Sequence, residues 1–297
     1  MIINRANLGD LRTGFRANFQ AGFSGVAPMW NRIATLVPSA TAEEKYPWLG
    51  QMPGMREWIG ERQIKNIAEH GYSIRNRSFE DTVSVPRESI EDDQYGVYAP
   101  MMTELGRAVA AHPDQLVFNL IKAGFVTNCY DGQYFFDTDH PVLDEAGTET
   151  SVSNMQAGAG AAWYLLDTSR AIKPLIFQER KKPEFVMKDS PDDDNVFMRK
   201  EFIYGVDNRC NVGFGFWQMA FGSKATLDAT NLQAAYTAMT VMKGDYGRPL
   251  GIMPNLLVVS PTNYFAALDL VKAQTKANGA TNTLNGLVEV MSSPWLA

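Results

Sequence analysis

Residues 110–142 read AAHPDQLVFNLIKAGFVTNCYDGQYFFDTDHPV. A helical pattern runs into a dense polar turn. In the first half, Val117, Leu120 and Ile121 form an apolar row at helical spacing, and Leu105 and Val109 form another upstream. Glu91, Asp92 and Asp93 precede this run, where the N-terminal helix dipole favours acids. A helix is therefore expected over 95–124, with Gly124 as its stop. Pro113 predicts a kink or two abutting helices, because it lacks an N–H and crowds the turn before it.

The second half gathers a thiol (Cys129), three carboxylates (Asp131, Asp137, Asp139) and an imidazole (His140). These are the side chains of metal sites and acid–base catalysis. In an extended strand, however, Asp137 and Asp139 point one way and His140 the other. Pro141 also holds His140 extended. Asp residues beside a proline commonly shape turns by accepting backbone N–H bonds. The expectation is a structural turn, formed by Asp131, Asp137, Asp139, His140 and Pro141 and anchored by Phe135. The rival reading is a metal-dependent hydrolase that uses Asp137, Asp139 and His140.

Toward the N-terminus, Leu8, Leu11, Phe15, Phe19 and Phe23 lie at spacings of three and four, one face of a helix over 4–24. Arg5, Arg12 and Arg16 sit off that stripe. Either the helix docks on the body of its own chain or it is an arm reaching a neighbouring copy. Residues 36–55 are broken by proline and glycine and read as loop. Residues 56–67 and 72–90 have strand texture, with a turn at 69–71, and their charges are evenly mixed. A two-stranded hairpin is marginal alone in water, so it should lean on its own body or on another subunit.

Toward the C-terminus, 144–161 reads as a flexible polar connector. From Trp163 the chain becomes strand-like, and two long strands are expected to be joined by a turn at Asp207–Arg209. The acidic run 189–195 reads as a solvated turn. The last third alternates helix and strand, with Asp228 or Thr230 starting a helix.

The bulk properties narrow the function. The chain has 297 residues, a net charge of -6 and 45% hydrophobic content, so it can bury a substantial core. Its acidic balance disfavours a conventional nucleic-acid binder. Two distant cysteines, Cys129 and Cys210, read as reduced thiols. The N-terminus lacks the apolar run of a secretory signal, and no stretch is apolar enough to span a membrane. A soluble chain that folds where it is made is expected. Phosphate-binding loops, a nucleophile elbow and an HExxH motif are all missing.

Several long strings together strongly resemble the major capsid (major head subunit) proteins of Mu-like tailed phages. They are PWLGQMPGMREWIGERQIKNI (47–67), SFEDTVSVPRESIEDDQYGVY (78–98), AAHPDQLVFNLIKAGF (110–125) and YDGQYFFDTDHPV (130–142). FMRKEFIYGVDNRCNVGFGFWQMAFGSK (197–224), GRPLGIMPNLLVV (247–259) and SSPWLA (292–297) continue the likeness. It covers nearly the whole chain, in order.

The resemblance implies an α+β, Hong Kong 97-type capsid fold. Its parts would be an N-terminal arm (1–45), an E-loop hairpin (46–92) and a peripheral domain with a long spine helix (93–154). Peripheral strands (155–222) and an axial domain (223–297) would follow. Because the long strand pair precedes the helix–strand–helix part, a circular permutation is expected, with Trp295–Ala297 ending near the Ala162–Leu166 strand. The E-loop would present Arg56, Glu57, Trp58, Arg62, Lys65, Arg75, Arg77, Glu80 and Asp81 to an adjacent subunit. The arm would present Phe15, Phe19 and Phe23.

The implied function is self-assembly, as hexamers and pentamers, into an icosahedral shell. That shell encloses double-stranded DNA, contacted non-specifically, with Arg5, Arg12 and Arg16 as candidates to meet phosphate. Scaffold, portal and decoration proteins would be partners. No membrane, cofactor or metal is expected, and assembly would take place in the bacterial host cytoplasm. Another self-assembling phage part, such as a tail tube, is the structural alternative.

Overall fold

The computed structural model describes residues 5–50, 71–92, 94–276 and 278–297. The chain opens with α1 (Arg5–Ser24), followed by strands β1 (Ala34–Pro38), β2 (Glu43–Lys45), β3 (Ser73–Arg75) and β4 (Arg77–Pro86). A short α2 (Arg87–Glu91) leads to the long α3 (Ala99–Ala123). Then come β5 (His140–Leu143), β6 (Glu149–Val152), β7 (Met155–Gln156), β8 (Trp163–Leu166) and β9 (Leu175–Lys188). After α4 (Asp194–Arg199), β10 (Glu201–Phe214) and β11 (Ala220–Ser223), the chain forms α5 (Ala229–Thr240), β12 (Lys243–Gly244) and β13 (Arg248–Pro249). It closes with β14 (Leu256–Val259), α6 (Tyr264–Val271) and β15 (Glu289–Ser292).

The apolar stripe of α1 meets its own chain. Leu8, Leu11, Phe15 and Phe19 are buried, against α3 and the inner face of β10. Phe15 meets Tyr204 edge-on at 5.0 Å, and Phe19 stacks on Phe185 at 4.9 Å. Two glycines let the α1 and α3 backbones touch. A Cβ on Gly106 would lie 2.1 Å from the Phe19 carbonyl oxygen, and one on Gly22 would lie 1.9 Å from that of Thr103. Arg12 pairs within its own chain: its Nε donates to both carboxylate oxygens of Asp189 at 2.9 and 2.8 Å. Asp189, expected in a solvated turn, is correspondingly buried at 3% exposure.

The expected spine helix is α3, one helix of 25 residues, about 37 Å long at 1.5 Å per residue. It runs through Pro113 without dividing. Beside that proline, the Asp114 carboxylate accepts the backbone N–H groups of Met29 and Trp30, at 2.9 and 2.6 Å, and ties the chain after α1 to the spine. The helix stops at Gly124 as expected, but not through a left-handed cap: Gly124 has φ −60°. Glycine is needed there because a Cβ would lie 2.8 Å from the Phe136 ring.

Two larger sheets form, and the first packs on the spine through β9 and β10. The first has strand order β1-β9-β10-β4 and the second β15-β14-β8-β11-β7. The sheets bear on three of the sequence expectations. The turn at Asp207–Arg209 is absent, because β10 runs through it while pairing with β4 on one side and β9 on the other. The irregularity falls in the β9–β10 ladder, between Glu184 and Glu179 of β9, where Pro183 cannot donate a ladder bond. Next, the strand at 77–86 takes β10 of its own chain as partner, because Val83 and Val85 turn inward onto the cluster of Phe15, Phe202 and Tyr204. The expected first hairpin strand and the 69–70 part of its turn lie outside the described residues. Finally, the boundary at 222/223 cuts through a sheet, since β7, β8 and β11 pair into one layer with β14 and β15. The all-buried β8 is its centre.

Ser292 pairs with Val259, which pairs with Trp163, so the C-terminal strand lies one strand away from β8. The chain end then reaches the spine, where the Lys122 ammonium donates to the Ala297 carbonyl at 2.6 Å.

Candidate functional site

The polar segment after the spine folds into a buried network. His140 is 0% exposed, and its ring lies flat on the Trp217 indole with centroids 3.9 Å apart and planes 8° from parallel. Its Nδ1 is 2.7 Å from Asp131 Oδ2 and its Nε2 is 3.2 Å from Asn154 Oδ1. The Asn154 amide is oriented by its own donors, which reach the carbonyls of Phe135, Trp217 and Ala220. Its oxygen also accepts the Asp137 N–H at 2.9 Å. Both ring nitrogens of His140 therefore face side-chain oxygens.

Asp131 completes the network by accepting the Cys129 S–H at 3.0 Å and the Gln133 N–H at 3.1 Å. Burial alone would raise its pKa. The bonds from His140 and Cys129, with the His140 charge and the Gln133 N–H, outweigh it and hold the carboxyl below the usual range. Burial pushes the Cys129 thiol well up, reinforced by the neighbouring Asp131 charge. Burial likewise raises the Tyr130 hydroxyl, which donates to Gln218 at 3.0 Å.

The structure does not assemble Asp137, Asp139 and His140 as the rival metal-hydrolase reading requires. Asp137 accepts backbone N–H bonds from Tyr134 and Thr138, at 3.1 and 2.7 Å, and Asp139 is exposed, while His140 is turned into the core. Among the described residues, the ligating atoms that do converge belong to Cys129, Asp131 and His140, all within 4.8 Å of one another. They are already bonded to each other through protons, and a metal would have to displace the proton of a thiol whose pKa burial has raised. The arrangement works chemically as a fastener. It ties the turn, the start of β5 and the Trp217 loop to the edge of the second sheet. Phe135 stacks on Phe214 at 4.3 Å, and Pro141 pairs with Ser151 in the β5–β6 ladder. Asn154 and Trp217, which orient His140, had no local signal in the sequence.

Among the expected interface residues, Arg56, Glu57, Trp58, Arg62 and Lys65 lie outside the described residues. Arg75 pairs with Glu43 in the β2–β3 ladder, and Arg77 covers the Phe79 ring at 5.4 Å. Glu80 and Asp81 sit on β4 opposite Asp207 and Val206, exposed to solvent. Phe15 and Phe19 are buried in their own subunit, which leaves them no surface for a neighbour, and Phe23 is half-buried beside Phe19. Other large apolar side chains are bare: Phe197 is 81% exposed, Met198 75%, Val97 73% and Phe265 72%.

A long spine helix packed on a sheet, with a second sheet, a buried polar fastener and bare apolar side chains, is a subunit built to be packed among others. Solved structures agree. The chain is similar to the procapsid of bacteriophage JBD30, with a TM-score of 0.87 and 52% identity over 99% of this chain and 100% of that one. It is also similar to the JBD30 capsid, with a TM-score of 0.79 and 38% identity over the full length of both. These features define a shell-forming phage major capsid protein with the Hong Kong 97-type fold, a component of the virion.

The chain belongs to the family of the Mu-like prophage major head subunit gpT, whose model matches residues 8–296. It is 42% identical to the major capsid protein of Escherichia phage Mu over the full length of both chains. It is 48% identical to the Mu-like prophage FluMu major head subunit of Haemophilus influenzae, over 90% of this chain and 89% of that one. Among the described residues, no helix is long and apolar enough to cross a membrane.

Proposed function

We propose that copies of this chain form hexamers and pentamers that close into an icosahedral head shell around packaged double-stranded DNA. The observation that carries this reading is the end-to-end likeness to the JBD30 procapsid subunit. Rings of this kind use head-to-tail contacts that close by rotation. The net charge of -6 suits a shell that encloses DNA without gripping it. The role is structural and non-enzymatic, with assembly in the host cytoplasm. Scaffold and portal proteins are the expected partners. The JBD30 capsid is decorated with minor capsid protein trimers, and a comparable decorating protein is expected here. Electron microscopy of the purified chain tests the reading. Closed shells or rings of five and six copies are expected, whereas long tubes or a monodisperse monomer would overturn it.

A further inference from the structure

The long β9–β10 hairpin ends in a short helix that presents two bare apolar side chains. Phe197 is 81% exposed and Met198 75%. The tip that carries them is held firmly. Val196 of the same helix is 1% exposed, packed with Leu8, Leu11, Phe15, Phe202 and Tyr204. The Asn195 amide donates to the carbonyls of Lys188 and Glu201 and so braces the two strands. Lys200 closes the helix in the left-handed region at φ 56°, and its carbonyl accepts the Arg87 N–H at 2.8 Å. The Arg12–Asp189 pair ties the start of the tip to α1. An aromatic side chain held out on a rigid frame loses little entropy when it is buried against a partner, which is the make-up of an interface anchor.

The receiving surface lies beside it. A cleft of about 400 Å³ is lined by Lys188, Asp194, Asn195, Met198, Arg199 and Ile203. Met198 and Ile203 supply apolar contact, and Lys188 and Arg199 are cations able to face a ring. Phe197 of the same chain does not line it. The charges fit the same partner. Asp192 and Asp194 are exposed at one end of α4, and Arg199 and Lys200 at the other. Copies meeting head to tail bring opposite ends together.

We infer that Phe197 of one copy seats in the Met198–Ile203 cleft of the next copy, with Asp192 or Asp194 of one facing Arg199 or Lys200 of the other. The occupant is a second copy of this chain. The inference rests on the shell-building role and names the contact that serves it.

The test uses the full-length chain under conditions in which the unaltered protein assembles, scored by sedimentation and electron microscopy. If the unaltered protein forms no shells, the assembly reading itself fails. Given shells, Phe197→Asp should lower their yield about tenfold or more, and Ile203→Asp should do the same. The double variant should be no worse than either alone, because both remove one contact. Phe197→Leu should retain assembly. A charge reversal, Arg199→Glu, should impair assembly and be rescued by Asp194→Arg. Unchanged thermal unfolding of the F197D subunit separates assembly from folding. Wild-type shell yield from F197D overturns the inference. So does normal assembly combined with loss of a decorating protein, which would assign the tip to a different partner.

Discussion

His140 and Asp131 are joined by a 2.7 Å contact in which the ring is fully buried and the carboxylate side chain is 7% exposed. They lie nine positions apart, and the chain must turn at Gly132 and again after Phe136 to bring them together. The pair is sealed by Trp217 on the ring face and by Asn154 at the far nitrogen.

Removing the ring should be costly. His140→Leu leaves Asp131 and the Asn154 oxygen short of their buried donor, so the loss should reach about 3 kcal/mol. Urea unfolding of the isolated subunit measures it. A loss under about 1 kcal/mol would show that the pair contributes packing alone.

Asp131 carries an acid dependence. Its folded pKa lies below the usual value, so its contribution is present above the unfolded pKa of about 3.9 and disappears as pH falls through the folded value. The stability difference between the native chain and Asp131→Asn should therefore be largest near neutrality and shrink below about pH 4. Unfolding curves at a series of pH values check this. A gap that stays constant into acid would remove the carboxylate charge from the account.

Gly106 and Gly14 should respond in opposite directions to the same change. A Cβ at Gly106 would meet the Phe19 carbonyl oxygen at 2.1 Å, and that backbone is pinned between two helices. Gly106→Ala should destabilise by about 1–3 kcal/mol. Nothing lies within 4 Å of a Cβ at Gly14, exposed on α1, so Gly14→Ala should stabilise by up to about 1 kcal/mol. Paired melting curves decide. A stable G106A would mean the α1–α3 crossing can slide apart.

The two cysteines should be silent while the subunit is folded. Burial raises both thiols, Cys210 to about 12, and both side chains are enclosed. A colourimetric thiol reagent at pH 8 should react at the rate of global unfolding, and fully only in denaturant. Rapid labelling of either native thiol would contradict the burial described for the fastener or for β10.

Much of the architecture could be read locally. The stripe of Leu8, Leu11, Phe15 and Phe19 announced α1, and the rows around Leu105 and Val117 announced α3, because a helix repeats its face every few residues whatever it packs against. Asp228 capped α5 as its residue type suggests, accepting the Asn231 N–H at 2.8 Å. The polar turn after the spine was visible too, though its density of carboxylates pointed as easily to chemistry.

Other features could not be read this way. Asp207-Asn208-Arg209 has turn composition, yet strands on both sides hold it extended. Pro113 has the composition of a break, yet α3 continues through it. The His140 site was half visible: Asp131 lies nearby in sequence, but Asn154 comes from the link between β6 and β7 and Trp217 from the turn before β11.

From the sequence alone follow the periodic elements, the acidic balance and the long matching strings that mark a phage head subunit. These depend on neighbours a few residues apart or on residue identity itself. Tertiary structure decided which faces meet. It gave β4 to β10, turned Phe15 and Phe19 onto their own subunit, and set His140 between Asp131, Asn154 and Trp217. Such pairings are chosen by mutual burial and by satisfaction of buried polar groups across long stretches of chain, and neither leaves a periodic trace.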